Sequence, residues 1–197
     1  YGAFDDAKHL ILYAGVERLA ASSGTIVFEF NKRLFSVAST GQIEGERSSG
    51  DLQVRAEFPA GLLTSVAISR WVEIDPEAGT FDWVALEVLP INPEDPAEQC
   101  NAAGTICSVC NGTSVNGGAW VNFGADGSEI EDLAPNSFME VGIDLSALVG
   151  THTYDNYYAT RYSTIQISTD DGGSPAVSHD YALGKFIRAA KVAQHRP

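Results

Sequence analysis

Leu52-Gln-Val-Arg-Ala-Glu-Phe58 places apolar side chains at positions 52, 54, 56 and 58 and polar ones between them. A period of two marks a half-buried strand, because successive side chains of an extended chain point to opposite faces. Gly50 and Pro59-Ala-Gly61 bound the run with residues that interrupt regular structure. Working outward, short alternating runs recur at 25–30 (TIVFEF), 34–39, 63–69, 81–89 (FDWVALEVL), 119–123 (AWVNF), 138–145 (FMEVGIDL), 157–168, 176–181 and 185–192. About ten strands with a turn every ten residues or so predict an all-β sandwich or jelly roll, not alternating β and α units. Nothing repeats and no low-complexity linker appears, so residues 1–197 are read as one domain.

Two segments stand outside the pattern. Residues 1–22 form an N-terminal arm open to two readings. Asp5 could cap a short helix through Ala7, Leu10, Ile11 and Ala14, or His9-Leu-Ile-Leu-Tyr13 could be a strand that completes its own sheet or pairs with a neighbouring copy. Residues 90–118 hold three prolines and all three cysteines without periodicity, and are expected to be a long loop. Cys100, Cys107 and Cys110 are one ligand short of a four-coordinate zinc site, which one of four dispersed histidines would have to complete. A local disulfide with one thiol left over fits a secreted chain better. Asn111-Gly-Thr113 is a glycosylation acceptor.

The 197 residues carry a net charge of −14. Between Trp71 and Thr160 there is no Lys or Arg against fifteen Asp and Glu. Such a field repels phosphate backbones, so nucleic acid and anionic membranes are poor expectations as partners. No run of 18 uncharged apolar residues exists that could insert into a membrane. The chain opens at Tyr1 and not at Met, which suits a mature secreted chain or a fragment.

Within 40–89 the order of features is specific: Thr40-Gly-Gln-Ile43, Gly50-Asp-Leu-Gln-Val-Arg-Ala-Glu-Phe-Pro-Ala-Gly61, Ser65-Val-Ala-Ile-Ser69 and Phe81-Asp-Trp-Val-Ala-Leu-Glu-Val-Leu89. This order resembles the laminarinase and xyloglucan-transglycosylase family of glycoside hydrolases, with a concanavalin A-like jelly roll. Thr151-His-Thr-Tyr154, the stretch from Ile165 to Gly172 and that from Phe186 to Val192 look like the family's later strands more loosely. The resemblance implies that 81–89 takes the place of the catalytic strand. Alternation then puts Trp83, Ala85 and Glu87 where the family carries nucleophile, helper carboxylate and acid/base. Only Glu87 is a carboxylate, whereas retaining hydrolysis needs two carboxyl groups about 5–5.5 Å apart. A second register, Glu73-Ile-Asp-Pro-Glu77, has the acidic spacing, but Pro76 would remove a ladder donor, so 73–80 is read as a hairpin loop.

A groove without its nucleophile can still bind sugar, since aromatic faces stack on pyranose rings while carboxylates take hydroxyls. Trp83 and Glu87 are the expected lining, with Trp71, Trp120 and Tyr157 as neighbours and Arg55 as a structural partner for Glu87. Asp126, Asp132, Asp170 and Asp171 lie in turn sequences that could also hold a structural calcium. The leading expectation is an extracellular, non-catalytic, glycan-binding module. The alternatives are a subunit of an extracellular filament or surface assembly, self-associating through the arm, and a glycoside hydrolase acting on β-glucans with Glu87 in its site.

Overall fold

The computed structural model describes residues 2–18, 23–40, 42–95, 97–118, 121–124, 126–150, 162–170 and 178–185. Eleven strands build two sheets: β1 Gly2–Phe4, β2 Leu10–Glu17, β3 Gly24–Asn31, β4 Leu52–Phe58, β5 Ser65–Asp75, β6 Thr80–Pro90, β7 Gln99–Cys100, β8 Ile106–Cys110, β9 Phe138–Asp144, β10 Thr164–Asp170 and β11 Ser178–Lys185. One sheet has the order β11-β10-β3-β4-β5-β6 and the other β1-β2-β9-β8-β7, antiparallel throughout. One short helix, α1 (Leu145–Val149), follows β9. No helix among the described residues is long and apolar enough to cross a membrane.

The sheets meet through the faces that alternation selects. Leu52, Val54, Ala56 and Phe58 of β4 are all fully buried and join Phe28 and Phe30 of β3, Leu10 and Leu12 of β2, Ile106 of β8 and Val141 and Ile143 of β9 in one cluster. The fold is therefore an all-β sandwich. β3 departs from simple alternation, because Thr25, Val27, Glu29 and Asn31 are buried on its other face as well. That face of the six-stranded sheet carries something over it, as the site shows.

Several expectations need correction. Of the expected strand at 34–39 only Ser36–Val37 pairs, in a two-residue ribbon with Ile43–Glu44. The expected strand at 176–181 is found as β11, which runs on to Lys185, while the rest of the expected strand at 185–192 lies outside the described residues. In the N-terminal arm the strand prevails over the helix: β2 lies between β1 and β9 of its own sheet, its alternate residues Leu10, Leu12 and Ala14 buried. Nor is 90–118 a structureless loop, since Ile106 and Ser108 are buried on β8, which pairs with β9 and β7 inside the five-stranded sheet.

The arm is closed onto α1 by polar contacts. Leu10 N donates to Ser146 Oγ at 2.9 Å, and His9 Nδ1 meets Asp144 Oδ2 at 2.8 Å. Asp144 also caps α1, its Oδ1 accepting from Ala147 N at 2.9 Å. The hydrogen bond and charge of Asp144 raise the His9 pKa above its ordinary 6.5. A raised folded-state value contributes stability that is complete below pH 6.5 and is lost as pH rises through the folded value. Thermal melts from pH 5 to 9 should therefore show a fall beginning above pH 6.5 that His9→Gln removes. A variant with the same pH profile would contradict the assignment.

Cys100 and Cys107 are direct cross-strand partners and form a disulfide, so the staple closes the tight turn between β7 and β8 and not the whole 90–118 segment. Cys110 is free and half-buried against the core, on the opposite face of β8 from Cys107. Burial pushes its thiol pKa up. With a sequence separation of 7, opening the disulfide should cost about 2 kcal/mol on the chain-entropy scale. Denaturant unfolding with and without reductant measures this, and Cys110 should label with a thiol reagent only as the chain unfolds.

Candidate functional site

The outer face of the six-stranded sheet is defined by register. Glu29 lies opposite Gln53, Gln53 opposite Ser69, and two residues along β5 Trp71 lies directly opposite Trp83. Glu73 opposite Phe81 extends the same face. Trp71 and Trp83 meet edge to face with ring centroids 5.2 Å apart, and Trp71 and Phe81 are nearly parallel at 6.2 Å. Phe81 is exposed and both tryptophans are half-exposed, so the three rings form an aromatic platform at the solvent side of a sheet.

A residue that sequence reasoning missed lies across the platform. Arg47, from the segment before β4, places its guanidinium carbon 5.5 Å from the ring centres of both Trp71 and Trp83. Its other side is held by Glu29: Nη2 donates to Oε1 at 2.8 Å and to Oε2 at 2.9 Å, and Nε donates to Oε2 at 3.1 Å. Gln53 Nε2 adds a long contact to Glu29 Oε1 at 3.4 Å. The Glu29 side chain is only 6% exposed while Arg47 keeps 36%, so the guanidinium lies over a buried carboxylate and shields it from water. The sequence clue was an acidic residue inside the apolar run TIVFEF, which demands a buried partner.

Glu87 is elsewhere. The β5–β6 register shifts by one residue between Ile68 and Ser69, so Glu87 lies opposite Ile68 while Ala85 lies opposite Ser69. Leu86 is the extra residue of a β-bulge, and past it the faces invert. Trp83 and Ala85 look outward, but Glu87 shares the core-side face with Ile68. The cause is the odd spacing of Leu86 and Leu89, which both pack on the core; unbroken alternation would turn one of them to solvent. The expected row of Trp83, Ala85 and Glu87 on one face does not form. Arg55 is not the partner of Glu87 either, because its Nε donates to Glu57 Oε1 at 2.7 Å.

Of the expected hairpin loop at 73–80 only 76–79 form the turn, with 73–75 ending β5 and Thr80 opening β6. Asp75 Oδ1 accepts from Glu77 N at 3.0 Å and from Ala78 N at 3.1 Å, and Gly79 supplies the left-handed residue at φ 63° before β6 begins. Trp120 and Tyr157 lie outside the described residues, as do Asp171 and the side chain of Asp170. Asp126 Oδ1 caps its own turn, accepting from Ser128 Oγ at 2.6 Å and Ser128 N at 3.0 Å, which hold its carboxyl below the usual range. Asp132 takes Asn116 Nδ2 at 3.3 Å. Among the described residues the one group of three close metal-ligating types is Glu98, Cys100 and Cys107, whose sulfurs are bonded to each other. Asn111 has its amide engaged: Nδ2 donates to Thr113 O and Ala134 O at 3.0 and 2.7 Å, and Oδ1 accepts from Phe138 N at 2.8 Å. Any glycan on Nδ2 would displace part of this clasp.

Compared with known proteins, the chain matches no family model, no curated protein and no solved structure.

Proposed function

We propose that the protein is an extracellular, non-catalytic glycan-binding module whose two sheets form a concanavalin A-like jelly roll. The observation that carries the reading is the gathering of Trp71, Trp83 and Phe81 on the solvent side of one sheet, beside the hydrogen-bonding groups of Arg47 and Gln53. Two or three aromatic rings flanked by polar donors and acceptors match the two kinds of surface a pyranose presents. Glu87, on the other face, has no part in it, and the hydrolase reading loses the acid it relied on. The Cys100–Cys107 disulfide is in keeping with an oxidising compartment. The proposal needs no bound calcium.

Affinity electrophoresis through β-glucans and related polysaccharides, followed by a glycan array, tests the reading. Wild type should be retarded by at least one neutral polysaccharide, and Trp83→Ala and Trp71→Ala should each weaken retention tenfold or more while keeping the far-ultraviolet dichroism of the fold. Retention that survives both substitutions, or no retention by any polysaccharide, would sink it. The filament reading retains one supporting observation: β6 is an eleven-residue edge strand with Val84 and Val88 exposed, a surface able to pair with another chain. Light scattering decides it, since a monomer at high concentration rules that assembly out.

A further inference from the structure

The core-side face of the six-stranded sheet carries charge beyond its apolar centre. Phe30, Leu52 and Arg70 are direct neighbours across β3, β4 and β5, and Phe30 and Leu52 are fully buried in the core. Arg70 therefore continues the core row at its edge, on the face opposite the tryptophans. Its Nε is buried and has no hydrogen-bond acceptor among the described residues. Lys32, just past β3, reaches the same place by crossing the head of β4 at Gly50. A Cβ on Gly50 would collide with Lys32 Nζ and lie 3.0 Å from Cε, and the φ of +90° there also favours glycine. Gly50 N donates to Trp71 O at 2.8 Å and Trp71 N to Asp51 O at 2.9 Å, so the lysine passes over backbone tied directly to the Arg70–Trp71 segment. Its ammonium donates to Ser49 O at 2.8 Å.

The nearby carboxylate attracts Lys32 but is held by backbone donors. Asp51 is fully buried, and its oxygens accept from two backbone groups, Lys32 N and Ser48 N, both at 2.8 Å. Burial pushes its carboxyl pKa upward. Burial lowers the Lys32 pKa, the Asp51 charge opposes this, and the Arg70 charge lowers it by a lesser amount. Two cationic side chains thus converge where one acidic group is already occupied. A buried guanidinium donor without an acceptor is costly, and an ion offering several oxygens relieves both that cost and the repulsion.

We propose that Arg70 and Lys32 form a binding site for a small oxyanion group, a carboxylate, sulfate or phosphate, gripped by the Arg70 fork and neutralised by the Lys32 ammonium. A planar guanidinium presents parallel donors that match two oxygens of such a group, which a point charge does not. A chain of net charge −14 attracts no anion at long range, so affinity comes from these desolvated contacts. The group is a free ion or an anionic substituent of a sugar. The site lies on the opposite face of the sheet from the aromatic platform and stands or falls independently of it.

The test follows the Arg70 Nε–H resonance by NMR, assigned by its disappearance in Arg70→Lys, while sodium sulfate is titrated against sodium chloride at matched ionic strength. The expected result is a saturable shift with sulfate and none with chloride. In Arg70→Lys, which keeps the charge and loses the fork, sulfate affinity read from backbone amides near Gly50 should fall at least tenfold, and in Lys32→Gln severalfold. A second titration compares a sulfated monosaccharide with its unsulfated parent. Binding of the sulfated sugar ten times tighter than sulfate identifies a substituent as the ligand, and equal affinity identifies the free ion. No shift in the wild type, or the same shift with chloride, overturns the proposal whatever the variants do.

Discussion

Phe28→Ala is expected to lower the unfolding free energy by about 3–5 kcal/mol, a fall of roughly 6–20 °C in melting temperature for a chain of this size. Phe28 is fully buried near the middle of β3, with Val54 directly opposite on β4 and Ile167 on β10. Both neighbours are tied to β3 by ladder hydrogen bonds, and Val141 and Ile143 of the other sheet complete the core cluster. The walls of the cavity are therefore fixed on three sides, and the site cannot close over the lost ring. The transfer term and the cavity term act together, which puts the expected cost at the upper part of the range for large-to-small changes. Val88→Ala is the control: Val88 is 51% exposed on an edge strand, and its removal should change stability by no more than about 0.5 kcal/mol. Denaturant unfolding monitored by tryptophan fluorescence and by circular dichroism gives both numbers and tests two-state behaviour. A loss below about 1.5 kcal/mol for Phe28→Ala would contradict the central position assigned to β3.

What the sequence disclosed followed from how local the cause was. The period of two in 52–58 reflects a strand with one core face, and all four of its apolar residues are buried. The 5–20 stretch was ambiguous because His9-Leu-Ile-Leu-Tyr13 satisfies both templates, and pairing with β9, more than a hundred residues away, decided it. β8 was hidden for a similar reason: its five residues place Ser108 in a buried position, where the hydroxyl donates to Glu140 O at 3.0 Å, so no apolar alternation announced it. At β6 the signal was present and went unused. Leu86 and Leu89 differ by an odd number of positions, so a strand that buries both must carry an extra residue, and Glu87 turns away from Trp83 in consequence. Trp71 and Trp83 were legible as candidates, but Arg47 was not, because its contact with them is set by the path of the chain between 31 and 52.

Arg47→Ala carries the other large effect, and its sign depends on which partner is left behind. Removing the guanidinium leaves the Glu29 carboxylate, 6% exposed beneath Arg47, with only the long Gln53 contact, and an uncompensated buried charge costs far more than the pair contributed. Because Arg47 itself is 36% exposed, water reaches part of the gap, so a loss of about 2–3 kcal/mol is expected, below the full penalty of a deeply buried pair. Arg47→Met with Glu29→Gln keeps the bulk of both side chains and removes both charges. It should recover most of the loss, since a neutral amide needs less compensation than a carboxylate. A double variant as unstable as Arg47→Ala would show that the cost came from packing over Trp71 and Trp83 instead of from the stranded charge. The same pair of variants bears on recognition. The guanidinium covers the tryptophan faces that a sugar would need, so a ligand must either use Arg47 as a donor or displace it. Binding by the double variant at or above the wild-type level means the arginine occupies the platform in the free protein. A tenfold loss with the fold intact means the arginine is itself a contact to the sugar.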